Sequence, residues 1–485
     1  MPATEWIIFI PAILCLAALL FGGLRVAFLG VYLPALLLLP MYFYARLPHL
    51  PPLTFIDTAA LPLIAVLMAQ GLRGWRLRWM DALVLAYTWS AGYSEWTNSS
   101  IFNGGLQFYA KLSAVVFPYM MGRLLIDPPD TAPADTAPPG QSQPYASQPN
   151  PSLPVAPSHR KQFVQCLIGL LTFVAFTNLY DFFSGFSSSQ ALWKRFFPDQ
   201  PIEWPQQMRW GFGRIEGPFA QAILAGMIFL CGIAYCLWLL RADTRWGARR
   251  LVAGVPLTLR NITLAALLAG LLMTQSRGPW LGAIVMGGVL WLAQAHSLRR
   301  AVAQFLLVAA IAATVAFVYG SEYTAGSRLH AQNAEQEDAI YRRELIKNYL
   351  PIFEQRPVFG WGITTYPTID GQKSIDNQYL FLAVTQGLVG LGIFTAICLA
   401  SCARLMRLLR APVTQHDRFL LFVHLGVLIG LMTTIATVYL GQQTELMLFL
   451  IVGWVQALDE RKLARAAGLS IDQGPVIHRF QSVLG

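Results

Sequence analysis

Charged side chains are scarce in this chain: only 12% of its 485 residues are Asp, Glu, Lys or Arg, while 55% are hydrophobic. Soluble globular chains carry about 25% charged residues. Apolar runs of about 18–22 residues recur along nearly the whole sequence, and each is long enough to cross the hydrocarbon of a bilayer. The composition therefore argues against a soluble enzyme with a large core and predicts an all-α, polytopic membrane protein.

The sequence also lacks the cysteine patterns of a disulfide framework or a zinc site. Its six cysteines all fall within or at the ends of apolar runs, where a thiol packs as a small apolar side chain. We predict no metal and no cofactor. The first apolar run follows MPATEW without a basic region or an evident cleavage site, which indicates a retained helix rather than a cleaved signal.

We place about thirteen membrane spans (12–14) along the chain by their length and apolar content. The fourth and the last are the least certain because they are short or carry polar residues. The predicted spans are 6–22, 26–44, 54–71, 80–94, 107–126, 163–183, 218–240, 257–274, 279–295, 301–319, 379–401, 419–439 and 445–458.

Basic residues form four clusters in connections between spans and a fifth after the last span, and with these spans all five fall on one side of the membrane. The positive-inside rule makes that side cytoplasmic. The net charge of +10 is then explained by the excess of Lys and Arg on the cytoplasmic side. We therefore predict no nucleic-acid partner. The clusters are Arg73, Arg76 and Arg78; Arg241, Arg245, Arg249 and Arg250; Arg299 and Arg300; Arg404, Arg407, Arg410 and Arg418; and Arg461, Lys462 and Arg465.

Spans and loops divide the chain into six predicted regions. A low-complexity segment rich in Pro, Ser, Gln and Ala cannot bury a core, and it predicts a disordered cytoplasmic linker. The longest outward loop is too long for a simple turn, which favours a functional role. The regions are N-terminal helices 1–126, the linker 127–161, central helices 162–319, the periplasmic loop 320–378, C-terminal helices 379–458 and a cytoplasmic tail 459–485.

Within the long outer loop, DAIYRRELIKNYLPIFEQ predicts an amphipathic helix. A basic amphipathic helix can lie on lipid headgroups or pack on protein, and the sequence leaves both open. Its apolar face carries Ile340, Leu345, Ile346, Tyr349 and Phe353, and its polar side carries Arg342, Arg343 and Lys347.

Arginines stand beside small, turn-forming residues in three outer patches. Guanidinium groups are planar, permanently charged and suited to phosphate oxygens, so their convergence would form a pyrophosphate site. Alternatively, each arginine reaches toward headgroups or pairs with an acid such as Glu216. The patches are RWGFGRIEGPFAQAILAG with Arg209, Arg214 and Glu216; TQSRGPWLG with Ser276 and Arg277; and the loop helix with Arg342 and Arg343.

Three segments in this order resemble the O-antigen ligase and polysaccharide polymerase family of bacterial inner-membrane proteins. They are RIEGPFAQAILAG, TQSRGPWLGAIVMGGVLWL, and RELIKNYLPIFEQRPVFGWGITTY followed by SIDNQYLFLAVTQGLVGLGIF, within about residues 209–400. The resemblance implies a GT-C-like, inverting glycosyltransferase in the inner membrane, with its active site facing the periplasm. Its donor would be a glycan on undecaprenyl pyrophosphate, its acceptor a glycan or lipid A–core, and a chain-length regulator a further partner.

The resemblance also assigns roles to residues. Arg214 and Arg277 would be catalytic through the diphosphate; Ser276 and Asn377 would bind substrate, as would Arg209, Glu216, Arg342 and Arg343. One departure matters, because the histidine that usually precedes the asparagine is Asp376 here. Asp376 is therefore the candidate general base, although it could equally orient a sugar hydroxyl or cap the next helix. This departure favours a polymerase over a ligase.

Two other classes of protein remain alternatives. A transporter or flippase of lipid-linked sugars would show internal repeats, broken helices and polar groups near the midplane. The sequence shows no clear repeat, and Lys111 is one of few charges deep within a predicted span. A structural scaffold would explain the Pro-rich linker but not the outer arginines.

Overall fold

The computed structural model describes residues 3–47, 51–128, 158–202, 204–248, 250, 258–295, 297, 299–304, 306–308, 310, 314, 323–324, 326, 328–372, 374–441, 443–459 and 463. The described part is mostly helical with little strand, which confirms the predicted helical class. Most of the predicted linker 127–161 and tail 459–485, and much of the predicted span 301–319, lie outside the described residues.

The N-terminal region consists of helices joined by short connections. A 3₁₀ helix, Ala3–Phe9, precedes α1, and π-helical turns at Phe28–Tyr32, Leu112–Val116 and Gly122–Ile126 extend the neighbouring helices. The α-helices are α1 (Ile10–Ala27), α2 (Leu33–Leu38), α3 (Phe55–Ala69), α4 (Trp79–Asn98), α5 (Ile101–Lys111) and α6 (Phe117–Met121).

The central and C-terminal regions also consist mainly of helices. Residues 299–304 are helical as well, and Arg328–His330 form a 3₁₀ turn. The remaining helices are α7 (His159–Ser184), α8 (Ser188–Lys194), α9 (Ala222–Ala242), α10 (Leu259–Met273), α11 (Arg277–Leu292), α12 (Ala334–Gln355), α13 (Gln378–Leu408), α14 (Gln415–Ile435) and α15 (Gln443–Ala457).

Two short antiparallel hairpins, which the sequence analysis did not predict, lie between helices. β1 (Tyr44–Ala45) pairs with β2 (Leu53–Thr54), and β3 (Met208–Arg209) pairs with β4 (Phe212–Gly213). The second hairpin turns at Trp210 and Gly211, whose φ angles are 52° and 82°. Two successive positive φ values match the twist of a tight hairpin.

Within the described residues, five helical segments are long and apolar enough to cross a membrane. The spans predicted at 6–22 and 26–44 form one helical run, Glu5–Leu38, interrupted at Gly23. The total of about thirteen spans stays a prediction. The other four segments are His159–Ser184, Ala222–Ala242, Gln378–Leu408 and Gln415–Ile435, and shorter apolar helices are Phe55–Ala69, Leu259–Met273 and Gln443–Ala457.

Small residues let the central helices approach closely. A side chain at Gly122 of the π-helical turn would overlap the Leu450 carbonyl of α15, and one at Gly453 would overlap the Tyr119 carbonyl of α6. Glycine at a crossing allows backbones to touch, which is how helices commonly pack within membranes. These contacts, and the burial of its side chains, place helix α15 in the centre of the described fold.

Polar contacts join helix ends that the predicted topology places on the same side. Arg160 pairs with Asp127 at 2.6 Å and with Asp417 at 3.0 Å, and all three lie at predicted inner ends. Lys111 pairs with Glu445 at 2.5 Å at predicted outer ends, which gives the deep lysine a carboxylate partner. The assignment of these two sides to cytoplasm and periplasm stays a prediction.

Helix α12 confirms the predicted helix of the outer loop and settles what its apolar face contacts. Leu345 and Tyr349 are buried with Ile375 and Val384, so this face packs on protein rather than lying free on headgroups. Ile346, placed on the same face by the sequence, is exposed. Helix α12 is therefore fixed against the start of α13.

Helix α13 is broken at Gly387, where φ is 65° and ψ is −165°. The loop 357–362 (PVFGWG) occupies this break and bonds to the backbone groups that the helix leaves unpaired. Trp361 N–H donates to the Val384 carbonyl at 2.9 Å, and Leu388 N–H donates to the Pro357 carbonyl at 2.7 Å. The break and the loop thus form one hydrogen-bonded unit, as buried backbone groups require.

A buried carboxylate in α4 holds the other end of that loop. Glu95 is fully buried, and it accepts hydrogen bonds from Ile363 N–H at 2.7 Å and from Thr364 N–H at 3.2 Å. Ser94 beside it donates to the Thr385 carbonyl at 2.6 Å. These contacts attach the outer loop to the N-terminal helices as well as to α13.

Candidate functional site

The structure brings seven of the nine predicted site residues to one cavity of about 210 Å³. Its walls come from the loop before α9, the start of α11, helix α12 and the segment before α13. The predicted outer loops, far apart in sequence, therefore meet here. The seven residues are Arg209, Arg214, Glu216, Ser276, Arg277, Arg342 and Asp376.

Arg214 is the most firmly held of the arginines. Its Nε donates to the Thr274 carbonyl at 3.2 Å, Nη1 to Gln207 Oε1 at 2.5 Å and Nη2 to Ser276 Oγ at 2.8 Å. Burial, and after it the charge of Arg209, lowers the pKa of Arg214 to about 10, so its guanidinium remains charged at neutral pH. A permanent positive charge is thus fixed in the wall of the cavity.

Two other arginines pair with acids near the start of α12. Arg277 lies 3.0 Å from Glu335, and Arg209 lies 3.1 Å from Asp338. Both pairs are partly exposed to solvent, and exposed ion pairs contribute little net free energy. Phosphate oxygens entering the cavity could replace these carboxylates at small cost.

The N-termini of two helices also face the cavity. Gln221 and Ser276 stand at the N-caps of α9 and α11, and neither side chain caps its own helix. The first residues of both helices, Ala222 and Arg277, line the cavity. Free amide groups and the helix dipole favour an anion at such a position. Together with the arginines, they make the cavity suited to a diphosphate.

A strained backbone turn at Gln275 positions the first residues of α11. Gln275 has a φ of 50°, a left-handed conformation that is uncommon for residues other than glycine. Its carbonyl accepts a hydrogen bond from Arg209 Nη1 at 3.0 Å. The turn therefore places Ser276 and Arg277 at the cavity and ties them to the β3–β4 hairpin.

Glu216 provides a buried carboxyl group in the wall of the same cavity. Gln190 Nε2 donates to Glu216 Oε2 at 2.9 Å. Burial raises the pKa of Glu216 to about 8, against the opposing effect of the Arg214 charge. Glu216 is therefore largely protonated at neutral pH and can donate a hydrogen bond, rather than act as a simple counterion of Arg214.

This raised pKa predicts a specific pH dependence of stability. Between the ordinary pKa of 4.5 and about 8, the unfolded chain loses the Glu216 proton while the folded protein keeps it. The free energy of unfolding therefore decreases as pH rises through this window. We measure the thermal midpoint of unfolding in detergent at pH 5 and at pH 8. We expect it to decrease over this range by more in the wild type than in Glu216→Gln. Equal pH dependence of the two proteins, with exposed Glu354→Gln as control, would contradict the assignment.

Asp376 and Asn377 have different surroundings. Asn377 is the N-cap of α13, since its Oδ1 accepts hydrogen bonds from Tyr379 N–H at 3.0 Å and Leu380 N–H at 3.1 Å. Asp376 lines the cavity and accepts a hydrogen bond from Ser374 Oγ at 2.7 Å. The capping role weighed for Asp376 thus belongs to its neighbour, and Asn377 is not among the residues lining the cavity.

Arg343 is the other predicted site residue that the structure does not bring to the cavity. It donates from Nη2 to the Gly326 carbonyl at 3.3 Å, whereas Arg342, one position earlier, lines the cavity. Successive helical residues point about 100° apart, so only one of the two can face inward.

Sequence reasoning missed several residues that shape the cavity. Glu335 and Asp338 are spaced three apart on α12, a helical spacing that places them on one face with Arg342. That signal was readable in EQEDAIYRR. Gln190 and Gln207 carry no comparable signal, because glutamine is common in polar segments between membrane spans.

The O-antigen ligase family model matches residues 262–395. We call this matched stretch, which is similar to that family, the O-antigen ligase region. The match confirms the family resemblance. The O-antigen ligase region contains Ser276, Arg277, Arg342 and Asp376, whereas Arg214 precedes it. No curated protein matches the chain.

Proposed function

We propose that the protein is a membrane glycosyltransferase that transfers or polymerises glycan repeats carried on undecaprenyl pyrophosphate at the periplasmic face, with polymerisation favoured. The observation that carries this proposal is the single cavity in which arginines, helix N-termini and carboxyl groups meet at the O-antigen ligase region. An inner-membrane location follows from the same assignment, as do a glycan or lipid A–core acceptor and a chain-length regulator as a further partner.

The positive groups suit the diphosphate of the lipid-linked donor. Arg214 and the N-termini of α9 and α11 offer fixed donors, while Arg277 and Arg209 exchange their carboxylate partners for phosphate oxygens. Groups already oriented toward developing charge stabilise a transition state without reorganisation. The arginines therefore stabilise the diphosphate as it takes up the electron pair of the breaking bond.

Transfer proceeds as a single displacement with inversion. The acceptor hydroxyl oxygen forms a bond to the anomeric carbon, and the bond from that carbon to the phosphate oxygen breaks. The lipid pyrophosphate leaves with the electron pair, and the hydroxyl proton passes to a carboxylate. Asp376 is that base in our proposal, because Glu216 is largely protonated at neutral pH and suits hydrogen-bond donation instead.

Reconstitution of the purified protein with an undecaprenyl-pyrophosphate oligosaccharide repeat tests the proposal. A ladder of longer lipid-linked glycans is expected with donor alone, and its formation should slow by about 10²–10⁴-fold in Asp376→Asn, the range of general base catalysis. Asp370→Asn, an exposed change in the same loop, serves as the matched control.

Other outcomes separate the alternatives. Product only after lipid A–core is added would identify a ligase. Movement of the labelled donor across vesicles, without any new glycosidic bond, would identify a transporter and overturn the proposal.

A broken helix is a feature of many transporters, so α13 bears on that alternative. In this chain, however, the backbone groups at the Gly387 break bond to the loop 357–362. They are therefore already used within the protein and are not presented to a substrate. This observation favours an enzyme with a fixed outer loop.

A further inference from the structure

A second cavity of about 190 Å³ lies beside the arginine cavity. Its walls include three aromatic side chains and two amide side chains, Tyr42, Tyr44, Trp204, Gln190 and Gln200. Among the residues that the structure describes, its lining includes no charged side chain. Small-molecule sites of this kind combine apolar and aromatic walls with a few oriented polar groups. The lining therefore suits a neutral, hydroxylated ligand rather than a phosphate.

The wall formed by residues 41–44 is held by contacts within the protein. The side chain of Gln200 hydrogen-bonds to both backbone groups of Tyr44. Its Oε1 accepts from Tyr44 N–H at 3.2 Å, and its Nε2 donates to the Tyr44 carbonyl at 2.6 Å. Behind this contact, Phe43 stacks on Phe197 with ring centroids 5.0 Å apart. The backbone that carries Tyr42 and Tyr44 is thus held in position without a ligand, which lowers the entropic cost of binding.

The two cavities share a wall. Trp204 lines both of them. Gln190 lines the second cavity, and its Nε2 donates to the Trp204 carbonyl at 3.0 Å and to Glu216 of the arginine cavity at 2.9 Å. A ligand in the second cavity therefore lies next to the place where the diphosphate and the reacting sugar would bind.

We propose that the second cavity is a carbohydrate subsite that holds one pyranose of the glycan adjacent to the reacting sugar. The inference rests on the proposed function and extends it, because it assigns substrate recognition to the β1–β2 hairpin and the loop after α8, outside the matched region. Aromatic faces contact the C–H faces of the sugar, and the side-chain carbonyl oxygens of Gln190 and Gln200 accept hydrogen bonds from its hydroxyl groups. The pyranose comes either from the donor repeat or from the acceptor chain.

Kinetics with glycans of different length tests the subsite. For Tyr44→Ala and Tyr42→Ala, we expect KM to rise about tenfold with substrates of two or more sugars, the scale of one lost aromatic contact. Single-sugar substrates should show no change, and kcat should stay within about twofold. Trp96→Ala, an exposed aromatic of α4 that lines neither cavity, is the control. Lengthening the donor and the acceptor separately shows which of them supplies the pyranose.

A binding measurement separates failure of the subsite from failure of the proposed function. Neutral mono- to tetrasaccharides of gluco, galacto and manno configuration are titrated into the detergent-solubilised full chain by saturation-transfer NMR. Binding that is lost in Tyr44→Ala but retained in Arg277→Ala supports the subsite, even if the wild type transfers nothing. If the protein transfers glycans but KM is the same in Tyr42→Ala, Tyr44→Ala and wild type at every glycan length, the subsite proposal is wrong and the proposed enzymatic function still stands. Absence of both binding and transfer overturns both.

Discussion

Replacing Arg214 with lysine is expected to lower the kcat of glycan transfer by about 10²–10³-fold, the effect of losing one preorganised donor to a developing oxyanion. Lysine keeps the charge but cannot reproduce the three directed contacts to Thr274, Gln207 and Ser276. The ammonium would therefore sit in the cavity wall without a fixed direction. Initial rates with an undecaprenyl-pyrophosphate donor, at saturating and limiting concentrations, measure kcat and KM separately.

The control is Arg343→Lys, which changes the same residue type on α12 outside the cavity and should alter transfer by no more than about twofold. Because Arg214 also links two loops, thermal unfolding must be followed alongside kinetics. A lower thermal midpoint with an unchanged kcat would assign Arg214 to structure alone. A kcat that falls more than KM rises, with the midpoint retained, would mark an interaction made mainly in the transition state.

The position of the arginines could be predicted because a charge beside a membrane span is costly unless it faces water or a partner. Arg214 and Arg277 stood out in an otherwise apolar sequence for this reason, and the structure places both at one cavity. The same signal was ambiguous on α12, where Arg342 and Arg343 are adjacent. Sequence alone cannot decide which of two neighbouring arginines faces inward, since the rotation of the helix depends on what its apolar face contacts.

The break in α13 and its partners were beyond sequence reasoning. TQGLVGLGIF reads as an uninterrupted apolar helix with three glycines, and nothing local distinguishes Gly387 from Gly392. The break exists because the loop 357–362 supplies hydrogen bonds from about 30 residues away, and Glu95 stabilises that loop from α4. Likewise, the second cavity depends on residues near positions 42 and 200 that meet only in the folded chain.

Gly387→Ala is expected to destabilise the protein by about 2–5 kcal/mol, which combines the cost of a left-handed conformation with that of overpacking. Its φ is 65°, and a Cβ there would overlap the Val358 carbonyl of the docked loop. Gly392→Ala is the matched control, because the same methyl group on the same helix meets no atom within 4 Å. Alanine should stabilise that position by up to ~1 kcal/mol. Thermal unfolding in detergent compares the two variants.

The same substitution should also affect the candidate site, because the loop 357–362 lies between α12 and Asp376 in the chain. If the loop leaves the break, α12 loses the hydrogen bond that Trp361 Nε1 donates to the Ile352 carbonyl at 2.9 Å, and with it part of the support that places Arg342 at the cavity. We therefore expect Gly387→Ala to raise the donor KM as well as to lower the thermal midpoint. The control Gly392→Ala should neither raise the donor KM nor lower the thermal midpoint. A destabilised Gly387→Ala protein with wild-type KM below its midpoint would show that the break supports the fold without positioning the site.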